Sequence, residues 1–350
     1  MSKLSILITK WALVLSLFSE TALAKGLPRV ILINSQNGEP YTSVQGFIEN
    51  QLKDKGWIHG KNFEFVVHSL DHFEGLGKRL WEREKNNRVD LVITSGTFAT
   101  KTMKELLYSE KPIGSKLSNG DSVIPVLFAV VTDPVGVGVI DNFKDAPKGN
   151  FSGVSYPAKV AERFRIIKKF IPNVKKMGLI YADMAQSDSY NAWVKEQLTA
   201  AEFKDLKVEF RKVPFIKGNG GHKRMAQLAK QHVEELNGMV DVFISPSDQM
   251  GTQDAFEKVM FENSKKPLVG ISKKGVMQDW GASFSIFGDV LRGSQKVADM
   301  ASEILNGKSL KTQIPEWPPV GVAVNKKKIS KYGIKFTDEM KKLAEENIVE

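Results

Sequence analysis

The chain has 350 residues, 42% hydrophobic and 26% charged, with a formal net charge of +10 and no cysteine. That length and composition fit a globular protein of two domains, and zero cysteines exclude disulfides, thiolate nucleophiles and thiolate metal sites. The positive charge does not describe a nucleic-acid surface. Its basic residues are dispersed as Lys168-Lys169, Lys175-Lys176, Lys265-Lys266 and Lys326-Lys327-Lys328, without interleaved aromatics, and read as solvated faces.

Residues 1–24 carry Lys3 and Lys10, a short apolar core at residues 11–18, and the small-residue ending Thr21-Ala22-Leu23-Ala24. This pattern predicts a secretory signal peptide, since the apolar run falls short of the roughly 20 residues a spanning helix needs. Lys25 stands where a lipoprotein would place its cysteine. A freely diffusing periplasmic protein is therefore expected.

Strands and helices then alternate. Residues 29–34 (RVILIN) read as a strand, 41–55 as a helix stopped by Gly56, 62–67 as a strand and 74–86 as a helix. The buried strand 89–93, the helix 98–107 and the strand 124–131 follow, and the last ends at Thr132-Asp133-Pro134. A short extended piece at 150–155 leads into the helix 160–170, and it reads as a crossing into a second lobe. There the rhythm restarts: strands at 176–181, 207–213, 240–245 and 267–271 alternate with helices at 190–201, 223–236 and 253–263. Residues 281–287 read as a return crossing, 290–305 as a helix, and 320–325 with 331–346 as a closing strand and helix. Such alternation predicts an α/β fold of two doubly wound, Rossmann-like lobes.

Several segments carry a more specific pattern. They are Ser95-Gly96-Thr97-Phe98-Ala99, Val131-Thr132-Asp133-Pro134-Val135-Gly136, Gly149-Asn150-Phe151-Ser152-Gly153-Val154 and Phe170-Ile171-Pro172-Asn173-Val174-Lys175-Lys176. Pro246-Ser247-Asp248, Lys266-Pro267-Leu268-Val269-Gly270 and Ile304-Leu305-Asn306-Gly307-Lys308 complete the set. In order and spacing the chain, from Arg29 to its end, resembles the ABC transporter substrate-binding protein family, whose characterised members include tryptophan- and tyrosine-type periplasmic binding proteins. The resemblance implies the type I bilobed periplasmic-binding-protein architecture. Its N-lobe would be residues 25–149 plus 284–307, and its C-lobe 150–282 plus 318–350. It further implies hinge closure on a small polar solute, an amino acid or a related anion among them. The implied partner is an ABC permease in the inner membrane, served by a monomer with no cofactor. A periplasmic protein that signals to a membrane sensor, and a cleft enzyme of similar shape, are the alternatives.

Open α/β sheets bind ligands beyond the carboxyl ends of their strands. Ser35 and Gln36 follow the first strand, and they either contact a ligand or stabilise the turn. Ser95 and Thr97 flank Gly96 at a strand-to-helix turn whose free N–H groups favour a carboxylate or phosphate, and Thr97 could equally cap the helix. Asp133 ends the strand beside Pro134. Asp248 holds the matching position in the second lobe, as ligand acceptor or as helix cap. Ser187 and Ser189 follow Tyr181, with Gln186 where relatives commonly carry a Glu able to meet an α-ammonium. Ser272 precedes Lys273 and Lys274, which either favour an anion or face solvent. Phe284 is a candidate apolar wall. Gln186 and the two lysines weigh against an aromatic amino acid as solute. No catalytic motif is present and the five histidines are scattered, so neither catalytic residues nor a metal site are expected.

Overall fold

The computed structural model describes residues 26–84, 86–107, 124–216 and 220–350. The expected signal peptide, residues 1–24, lies outside the described residues. Within them no helix is long and apolar enough to cross a membrane.

The first sheet contains β1 (Arg29–Asn34), β2 (Glu64–Ser69), β3 (Leu91–Ser95), β4 (Val126–Val131) and β5 (Phe151–Ser155). Its order is β2-β1-β3-β4-β5, with every pair parallel. The central strands are unbroken apolar runs because helices cover both faces. Val30, Leu32, Leu91 and Ile93 point into one core and Ile31, Ile33 and Val92 into the other, as the two-residue period of a strand requires. The flanking helices are α1 (Tyr41–Asp54), α2 (Glu74–Glu84) and α3 (Thr97–Leu107).

The second sheet takes β6 (Lys176–Ala182), β7 (Lys207–Val213), β8 (Val242–Ile244), β9 (Leu268–Gly270), β10 (Phe284–Gly288), β11 (Val320–Asn325) and β12 (Ile348–Val349). Its order is β12-β11-β10-β9-β8-β6-β7, parallel except for the β10–β11 pair. Around it pack α4 (Val160–Phe170), α5 (Ala185–Leu198), α6 (Gly221–Leu236), α7 (Asp254–Asn263) and α8 (Lys273–Met277). The helix α9 (Val290–Leu305) returns to the first lobe, where Val297, Ala298 and Ala301 enter the β1–β3 core. The short helices α10 (Lys326–Lys331) and α11 (Asp338–Ala344) stand where one closing helix was expected, because Gly333, at φ +71°, interrupts the turn between them.

Two of the expected lobe boundaries move. Residues 150–155 are expected in the second lobe, yet β5 pairs parallel with β4 of the first sheet. Residues 284–288 were assigned to the first lobe, yet β10 lies between β9 and β11 of the second. In each case a buried edge or central strand was read as an extended linker, since a short apolar run looks the same in both settings. The chain therefore crosses at residues 156–159, at Asp289 and through residues 313–319.

The crossings are bonded to one another. The Ser155 N–H donates to Glu316 O at 3.0 Å, Glu316 N–H to Gly153 O at 2.9 Å, and Asp289 N–H to Pro319 O at 2.7 Å. Ser152 Oγ donates to Gln313 O at 2.5 Å, and an ion pair joins Lys296 to Glu316. Gly153 sits at φ +145°, and a Cβ there would overlap the Phe128 carbonyl oxygen. Only glycine lets β5 approach β4 at this point, where the strand register also shifts between Phe128 and Val131.

Candidate functional site

Because β5 and β10 both run out of their parallel sheets into crossings, the carboxyl edges of the two sheets face the same three segments. Open α/β sheets place ligand contacts at such edges, just after the strands.

On the first edge, Ser35 is buried and its Oγ accepts the Ala99 N–H of α3 at 3.0 Å. Its own N–H donates to Ser95 O at 2.9 Å, so it ties the end of β1 to β3 and α3. Gln36, next along the loop, is half-buried. The Ser95 hydroxyl is fully buried and without a hydrogen-bond partner. Gly96 turns the chain at φ +100°, and any side chain there would overlap Ser35 Oγ and the Tyr41 ring. Thr97 Oγ1 accepts the Thr132 N–H at 3.4 Å, and Asp133 Oδ1 accepts the Gly136 N–H at 2.8 Å. His72 meets Phe98 edge-on at 5.0 Å beside them. This edge is a set of hydroxyls and turn amides in which Asp133, itself half-exposed, holds its own turn.

The second edge is built on charge. Asp248 is 4% exposed, and burial pushes its carboxyl above the usual carboxylate range against the hydrogen bonds that hold it charged. Its Oδ2 accepts the Ala182 N–H and the Ser187 hydroxyl, each at 2.8 Å, while Oδ1 accepts the Gly251 N–H at 2.8 Å. Asp248 thus pins the end of β6, the start of α5 and the turn after β8 to one another. Ser189 is half-buried on α5, and Ser272, also half-buried, is the N-cap residue of α8 without a side-chain cap bond. Lys273 and Lys274 are exposed, and Lys274 pairs with Asp254 at 2.9 Å. They match the solvent-facing reading.

Phe284 is a correction. It is fully buried and packs against Phe170 at 5.2 Å inside the second lobe's core. It begins β10, so it lies at the opposite end of the strand from the carboxyl edge.

Arg163 was not among the expected site residues. It is 2% exposed, and its Nη1 donates to Tyr190 Oη and, at 3.4 Å, to Ser245 O, while Nη2 donates to Gly270 O at 3.4 Å. Ser245 and Gly270 end β8 and β9, so the guanidinium lies across the second carboxyl edge. With Tyr156, Tyr190, Ser247, Ile271 and Phe287 it lines a recess of about 10 Å³ at the crossings, room for about one water. The signal was present in the sequence: Val160, Phe164 and Ile167 form an apolar helix stripe, and Arg163 falls on it.

Burial raises the Tyr156 and Tyr41 hydroxyls above the usual tyrosine range. Among the described residues no group of three or more His, Asp or Glu could hold a metal ion.

Comparison with known proteins adds three findings. A family model described as ABC transporter substrate binding protein matches residues 36–348. A curated relative, the tyrosine-binding protein of Clostridioides difficile, is 24% identical over 273 residues, spanning 76% of this chain and 69% of the relative. Among solved structures, a ligand-free, open substrate-binding protein with adhesive properties from Clostridium difficile matches with a TM-score of 0.70 and 19% identity. That match covers 92% of this chain and 98% of the other. An ABC domain in complex with L-Trp from Streptococcus pneumonia matches at 0.68 and 20%, covering 93% and 100%. At these identities the structural matches establish the two-lobed fold.

Proposed function

The chain belongs to the ABC transporter substrate binding protein family, and on that premise we propose that it is the periplasmic solute-binding component of an ABC import system. It captures a small polar solute of the amino-acid class between its lobes and releases it to an inner-membrane permease. The observation that carries this reading is the placement of both carboxyl edges against three mutually bonded crossings. Crossings of that kind let two rigid lobes rotate while their own sheets stay intact. The amino-acid class is supported by the tyrosine-binding relative and by the neighbour solved with L-Trp. The first edge also suits a small zwitterion, since its turn amides donate to a carboxylate, while the Thr97 hydroxyl and the half-exposed Asp133 carboxylate accept from an ammonium.

A thermal-shift screen of residues 25–350 against the amino acids, nucleobases and small carboxylates tests the proposal. A solute that binds only the folded state stabilises it by about 2.7 kcal/mol at one hundred times its Kd. A narrow set of amino acids is expected to raise Tm, unchanged chemically after incubation. Turnover of a solute, or no amino acid shifting Tm while another class does, overturns the reading.

A further inference from the structure

Arg163 carries a charge that the fold itself leaves unanswered. Its guanidinium reaches two backbone carbonyls and a tyrosine hydroxyl, all neutral. Its Nε is buried with no partner, and no ion pair to a carboxylate is formed among the described residues. Burying a cation without a counter-charge costs several kcal/mol after relaxation, and a guanidinium offers five donors in a fork that matches a carboxylate. Asp248, the buried acid of this edge, forms no ion pair with Arg163, and its oxygens accept from Ala182, Ser187 and Gly251 instead. Tyr190, whose ring lies 5.7 Å from the guanidinium carbon, holds the fork in place.

Arg163 also lies where the lobes are joined. It lines the recess at the crossings together with Ser247 and Tyr156. That recess, about 10 Å³, has room for about one water-sized group, so only an end of a solute would enter it.

We propose that Arg163 is the anion receptor of the site, pairing with a carboxylate of the captured solute. This rests on the solute-binding reading and narrows it to carboxylate-bearing solutes. The first edge then meets the solute's ammonium with acceptors, the Thr97 hydroxyl and the Asp133 carboxylate. Specificity against amides and esters of the same solute would come from the second lobe, because they would leave the guanidinium buried without its charge partner.

The test uses two measurements on residues 25–350. In the first, L-tyrosine and L-tryptophan are titrated calorimetrically beside their carboxamides, into wild type, Arg163→Gln and Arg163→Lys. Wild type is expected to prefer acid over amide by at least tenfold. Arg163→Gln should lose at least tenfold in affinity for the acids and bring that preference close to one, with Arg163→Lys in between. In the second, protein labelled with ¹⁵N at arginine Nε is titrated with acetate, and the Arg163 resonance is assigned by its loss in Arg163→Gln. A saturable shift of that resonance is expected. If an amino acid binds wild type and Arg163→Gln equally, or acetate leaves the Nε resonance unmoved, the receptor role is overturned while the solute-binding reading stands. If neither amino acid binds and acetate still shifts the resonance, the receptor stands and an aromatic amino acid is excluded as the solute.

Discussion

The two carboxyl edges hold comparable positions in similar sheets and yet are made differently. The first is assembled mainly from neutral groups, Ser35, Ser95, Thr97 and the Gly96 turn, beside a half-exposed carboxylate, Asp133, that holds its own turn. The second buries two charges of opposite sign, Asp248 and Arg163. Those two charges are not paired with each other. Asp248 is saturated by three donors of its own lobe, and Arg163 keeps an open donor. A buried carboxylate with full hydrogen bonding is a structural rivet, whereas a buried cation without a counter-ion is a place for a ligand. Partner accounting separates the two roles where burial alone does not.

Substitutions at four positions sharpen this contrast. The largest effect is expected from Asp248→Ala, which orphans two N–H groups and a hydroxyl. Each unsatisfied buried group costs about 1–3 kcal/mol, so denaturant unfolding should show a loss of about 4 kcal/mol. Asp248→Asn should recover part of it. A loss in solute affinity without a loss in stability would make Asp248 a ligand group instead of a rivet.

On the first edge, Gly96→Ala forces a side chain into φ +100° against Ser35 and Tyr41. Positive-φ strain costs about 1–3 kcal/mol, and about 2 kcal/mol of stability together with weakened solute binding is expected. Wild-type binding in this variant would remove the Gly96 turn from the site. Ser35→Ala, which frees the buried Ala99 N–H, should cost about 1 kcal/mol by the same unfolding measurement. A loss of several kcal/mol would show that the first edge is riveted as tightly as the second.

The fourth test reads a change in pH slope. Glu257, in the first turn of α7, is buried, and burial raises its carboxyl to about 7 from a usual 4.5. The folded state then binds its proton more tightly than the unfolded one. The resulting stability is fully present below about pH 4.5 and is lost as pH rises through about 7. Lys328, lowered by burial to about 8, acts in the opposite direction at higher pH, losing its contribution as pH falls through about 8. The Tm difference between Glu257→Gln and wild type should therefore grow in favour of the variant from pH 4.5 to 7. A gap that stays constant over that range would place the Glu257 proton elsewhere.

The alternation of elements was legible in the sequence because parallel strands buried on both faces are continuous apolar runs and the helices between them keep a helical period. RVILIN at 29–34 and VLFAVV at 126–131 are strands in the structure with little change of bounds. The crossings were not legible to the residue. FSGVS at 151–155 and FSIFG at 284–288 are apolar in either role, and only their hydrogen-bond partners decide which sheet they join. Ser35, Thr97 and Asp248 could be placed at strand ends from spacing. The three donors on Asp248 come from residues up to 66 positions away, which no local pattern discloses. Phe284 was placed at the cleft because its strand was taken for a crossing. Arg163 is visible in the sequence as a charge on an apolar helix stripe, whereas Lys273 and Lys274 face solvent.

The central claim, that one solute is held between the two edges by movement about the crossings, is tested most directly by small-angle X-ray scattering. Residues 25–350 would be measured alone and saturated with the amino acid that gives the largest thermal shift. The account predicts a fall in radius of gyration on binding, absent in solute-free controls. Saturable binding with an unchanged scattering profile would contradict it.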